Sequence, residues 1–60
     1  MSEDYRGFTI TYQLTPFGVE GKAHRAGVAN FSAFGQFESE VRDQLRRKIN
    51  TYILKYGTGA

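Results

Sequence analysis

Between Phe37 and Tyr56 the apolar side chains fall at spacings of four and three: Phe37, Val41, Leu45, Ile49, Tyr52, Ile53 and Tyr56. At about 100° per residue they share an arc of about 160° centred on Leu45, which is one face of a helix. No other feature of the 60-residue chain constrains its fold as strongly. A helix with one apolar stripe needs a second layer to cover it, and residues 1–36 must supply that layer. The opposite arc carries Glu40, Asp43, Arg47 and Asn50. Acids lead and bases follow, as the helix dipole favours, and Glu38–Arg42 and Asp43–Arg47 add i,i+4 pairs. Gly57 is a natural stop. Gly35-Gln36 breaks the preceding segment, with Ser39 a candidate cap for a helix starting slightly later. Leu54 departs from the pattern: it projects about 180° from Leu45, among Asp43, Arg47 and Asn50.

The covering layer reads as sheet. From Arg6 to Thr15, Phe8, Ile10, Tyr12 and Leu14 alternate with Thr9, Thr11, Gln13 and Thr15, the signature of a strand with one wet face. Thr15-Pro16-Phe17-Gly18 is a turn sequence. Val19 to His24 returns as a second strand whose inward residues, Val19, Gly21 and Ala23, are small enough to let the helix sit close. After Arg25-Ala26-Gly27, Val28 to Phe34 makes a third strand, with Ala29, Phe31 and Ala33 inward and Phe34 left on the outer face or edge. The expected fold is therefore α+β, β-β-β-α: a three-stranded antiparallel meander with one long C-terminal helix packed on one face. It forms a single small domain, with residues 1–5 and 57–60 as flexible ends. In that order the strands from Arg6 to Thr15 and from Val28 to Phe34 are the edges, and the first, long and without internal proline, is the one that invites another chain.

Composition narrows the chemistry. There is no cysteine, so no disulfide can brace so short a chain, and the single histidine, His24, argues against a structural zinc site. No carboxylate cluster has a metal-binding spacing, and no nucleophile, base and acid occur in a catalytic pattern. Neither a cofactor nor a small-molecule ligand is expected, and the chain reads as a non-enzyme. The acidic start lacks an apolar signal region and no apolar run is long enough to span a bilayer, so a cytoplasmic location is expected.

Formal net charge is +2. Residues 1–37 balance Glu3, Asp4 and Glu20 against Arg6, Lys22 and Arg25, so the excess belongs to the helix region. Two functions fit these features. The first is a non-catalytic protein-binding module, pairing with itself as a homodimer or regulating a larger protein, as products of phages and mobile elements do. Its contact residues would be Leu54, Arg47 and Asn50 on the helix, or Thr9, Thr11 and Gln13 on the wet sheet face. The second is a small accessory nucleic-acid binder using Arg42, Arg46, Arg47 and Lys48, with exposed aromatics beside them to stack bases.

Overall fold

The computed structural model describes residues 2–57. Its order is β1 (Ser2–Tyr5), β2 (Phe8–Thr15), β3 (Gly18–Arg25), β4 (Ala29–Gly35) and α1 (Glu38–Tyr56). The four strands form one antiparallel meander in sequence order, and α1 lies across one face, chiefly over β3 and β4. The strand–strand–strand–helix architecture read from the sequence is present, with one strand added in front.

That added strand corrects the reading of residues 1–5 as a flexible end for residues 2–5; Met1 lies outside the described residues. Ser2 to Tyr5 pair with Thr11 to Phe8, so β2 lies inside the sheet and its Phe8–Thr11 half is covered. The hairpin turns on Arg6-Gly7, with φ of 52° and 89°. Two positive φ values suit a two-residue loop between twisted strands, and glycine makes the second of them easy. Arginine is an unusual occupant of the first, which is why alternation alone extends β2 back to Arg6. Residues 58–60, also expected to be a flexible end, lie outside the described residues.

Alternation decides which face of each strand meets the helix. Phe8, Ile10, Val19 and Ala23 are buried beneath Val41, Leu45, Ile49 and Ile53. Gly21 carries the crossing point: a Cβ there would lie 2.4 Å from Val41 Cγ1 and 2.9 Å from Leu45 Cδ1. Ala23 is small enough that Phe8 and Phe31 meet over it, ring centroids 5.7 Å apart.

The apolar stripe is narrower than its sequence arc. Phe37 is the N-cap, in extended conformation and largely exposed, instead of the first buried turn. Ser39 sits inside the first turn and is not the cap. Glu40 reaches back instead, its carboxylate accepting the Gln36 N–H at 2.8 Å. Gly57 closes the helix in the left-handed conformation, its N–H on the Ile53 carbonyl at 2.7 Å. Leu14, expected to face inward, is 83% exposed because it extends past the start of α1. Val28 belongs to the turn before β4, with its N–H on the Arg25 carbonyl at 3.0 Å.

Candidate functional site

The sheet ends in two unlike edges. β1 is four residues long and contains Glu3 and Asp4. A short charged strand resists pairing with another chain. β4, Ala-Asn-Phe-Ser-Ala-Phe-Gly, is seven residues long with no charge and no proline, and among the described residues it pairs only with β3.

Hydrogen-bond direction along β4 follows from the β2–β3 hairpin. A two-residue loop closes on a hydrogen-bonded pair, here Thr15 and Gly18, and narrow and wide pairs then alternate. The residues of β3 that face β4 are therefore Val19, Gly21, Ala23 and Arg25, opposite Gly35, Ala33, Phe31 and Ala29. Asn30, Ser32 and Phe34 are left with N–H and C=O toward the open side. A contact from the helix agrees: Lys48 Nζ donates to the Ser32 carbonyl at 2.7 Å.

Beside this edge runs an open groove of about 560 Å³, lined by Phe31, Arg47, Lys48, Thr51, Tyr52, Lys55 and Tyr56. Two helical rows build its wall. Arg47, Thr51 and Lys55 are spaced i, i+4, i+8, and so are Lys48, Tyr52 and Tyr56. Its rings continue the core outward: Phe31 to Tyr52 is 5.8 Å between centroids, and Tyr52 to Tyr56 is 4.8 Å. Tyr52 is pinned to β4's approach, its hydroxyl donating to the Val28 carbonyl at 3.4 Å. Tyr56 is 60% exposed, with Lys55 Nζ 5.4 Å from its ring centre. Among the described residues three cations line the groove and no carboxylate does.

The basic residues singled out in the sequence do not make one patch. Arg47 and Lys48 lie on this β4 flank. Arg42 and Arg46 lie on the other, where Arg42 Nε is 3.6 Å from Asp43. Arg46 is 3.5 Å from the Glu3 carboxylate and 4.9 Å from the centre of the Tyr5 ring. Asn50 is also engaged internally, its Oδ1 accepting from the Tyr5 hydroxyl at 2.9 Å and from Arg6 at 2.8 Å. β1 and its turn are thus held by two helix side chains, Arg46 and Asn50, one reason β1 forms a strand despite its acids. Leu54 is 88% exposed and lies near Arg6, Asn50 and Ile53. Thr9, Thr11 and Gln13 are exposed on the sheet face that the helix leaves bare, away from Leu54, Arg47 and Asn50.

Other chemistry is sparse. Tyr12 donates to the Glu3 carboxylate at 2.7 Å; burial first, then that bond and the nearby negative charge, push its phenol well above the ordinary tyrosine value. His24 Nδ1 bonds the Asn30 side chain across the β3–β4 pair on the exposed face. Among the described residues no three His, Cys, Asp or Glu side chains gather as metal ligands, and no helix is long and apolar enough to cross a membrane. At the far end, Leu14 and Phe37 flank a shallow notch with Tyr12 and Val19, and Phe17 and Phe34 are exposed at the same end.

The sequence reading places the strand now seen as β4 at an edge, and it is one; Phe31, Tyr52, Lys55 and Tyr56 are not among its contact residues. The two i,i+4,i+8 rows and the absence of charge from 29 to 35 were legible. What was not legible is that β1 covers half of β2 and so removes the other long strand as an open edge. No protein-family model matches the chain, and comparison with curated proteins and with solved structures finds no match.

Proposed function

We propose that this protein is a small non-catalytic protein-binding module that works by strand addition at β4. The observation that carries the reading is the edge itself: seven uncharged, proline-free residues with Asn30, Ser32 and Phe34 presenting backbone groups to the open side. An extended segment laid there would complete the ladder, the backbone supplying affinity and flanking side chains supplying selectivity. The reading moves the pairing edge from the strand containing Thr9, Thr11 and Gln13 to β4. Exposed Phe34 at one end of the strand and the ring-lined groove at the other give an incoming segment side-chain contacts as well.

The test compares the wild-type protein with Ser32→Pro. Proline removes an N–H that faces the open side, so the β3–β4 ladder keeps its bonds. Both proteins are titrated with labelled octapeptides that alternate valine with a polar residue, and binding is read by fluorescence anisotropy. Far-UV circular dichroism checks that the variant is folded. Saturable binding to the wild type, lost in folded Ser32→Pro, is the expected result. Equal binding to both proteins, or none to either, would contradict strand addition at β4.

A further inference from the structure

We infer that the segment β4 accepts is acidic, with Lys48 acting as the latch that selects it. The inference rests on the strand-addition reading and adds the chemistry of the partner.

In the free protein the middle of the edge is already occupied. Lys48 Nζ sits on the Ser32 carbonyl at 2.7 Å, and that carbonyl faces the side where a new strand must lie. An incoming strand brings its own N–H to the same carbonyl and so competes with the ammonium for it. An uncharged strand weakens that contact and offers the lysine nothing in return. A strand bearing a carboxylate toward the helix offers Lys48 a charged acceptor as it gives up a neutral one, and charge-assisted bonds are the stronger kind. Arg47 and Lys55 line the same groove with no carboxylate among them, so the field along this flank favours the same sign of partner. A second copy fits poorly: pairing β4 with β4 about a two-fold axis would bring Arg47, Lys48 and Lys55 of one copy toward those of the other. Single-stranded nucleic acid would satisfy the cations and stack on Tyr56, but it cannot complete a backbone ladder.

Lys48 therefore plays two opposed parts. It blunts a bare edge, as lysines on edge strands do, and it releases that edge to a segment carrying the right charge. The groove rings, Phe31, Tyr52 and Tyr56, offer apolar surface to the methylene stems of the segment's helix-side acidic residues, whose carboxylates reach the cations.

The experiment titrates wild type and Lys48→Met with Glu/Val, Thr/Val and Lys/Val octapeptides and with a single-stranded thymidine octamer. Ser32→Pro is included throughout, and sedimentation equilibrium is run on the unliganded protein. At low salt Glu/Val is expected to bind the wild type about tenfold more tightly than Thr/Val, with Lys/Val weakest. Raising the salt to about 1 M should remove most of that advantage. Lys48→Met should tighten Thr/Val while weakening Glu/Val, a crossed response that a general charge effect does not give. Equal affinities for the three peptides, all lost in Ser32→Pro, would overturn the acidic partner while leaving strand addition standing. So would a dimer of the unliganded wild type that Ser32→Pro dissociates. Thymidine-octamer binding that survives Ser32→Pro, with no peptide bound, would overturn both and make the groove a nucleic-acid site.

Discussion

Gly21 has no side chain at the point where α1 crosses the sheet, and Val41 and Leu45 fill the space a Cβ would take. Close approach here lets a 19-residue helix and a four-stranded sheet enclose one core in a short chain. Gly21→Ala should therefore cost about 1–3 kcal/mol, the range for overpacking a filled interior. Urea denaturation reads the loss, and an unchanged midpoint would mean that the helix does not sit this close. Tyr12 offers a second, pH-dependent test. Its phenol is raised above the ordinary value by burial and by Glu3, so the folded protein holds the proton more tightly than the unfolded chain does. The resulting stability is complete below the ordinary tyrosine value of about 10 and is lost as pH rises beyond it. Tyr12→Phe should lose less stability than wild type on titration from neutral into alkaline solution. Parallel profiles for the two proteins would rule out Tyr12 as a source of that dependence.

Among the elements, the helix was the most legible and the edges were the least. Val41, Leu45, Ile49 and Ile53 repeat every four residues, and a pattern of that length has one reading. Its ends were less clear, because Phe37 and Tyr56 fit the arc by angle although nothing in the sheet reaches far enough to cover them. β2 and β3 were legible from alternation, and Gly21 and Ala23 rightly signalled a close helix. β1 was not, since Ser-Glu-Asp-Tyr has little strand propensity. It is ordered by contacts from far along the chain: Tyr12 and Arg46 on Glu3, and Asn50 on Tyr5 and Arg6. The candidate site inherits that gap, because which edge is bare depends on β1. The elements also give a paired prediction. Leu45 is fully buried, so Leu45→Ala should cost about 2–5 kcal/mol. Leu54 is exposed, so Leu54→Ala should stay within about 0.5 kcal/mol. Thermal and urea melts of the two variants check both, and similar losses would mean that the helix faces are misassigned.

The whole molecule is a thin two-layer slab, 36 × 17 × 14 Å. With one helix available, only one sheet face can be covered, so Thr9, Thr11 and Gln13 remain on a bare polar face. A meander of four strands must also leave two edges. One is short and acidic; the other is long and uncharged and lies beside a basic, ring-lined groove. The proposed strand addition requires that this second edge, apart from the Lys48 contact, be unpaired in the free protein and accept a strand. Amide exchange along β4 by nuclear magnetic resonance, on dilute protein, addresses it most directly. Free protein should exchange fast at Asn30, Ser32 and Phe34 and slowly at Phe31, Ala33 and Gly35, and the Glu/Val octapeptide should slow the first three. Equal protection of both sets before any peptide is added, or peptide binding that leaves Asn30, Ser32 and Phe34 fast, would contradict it.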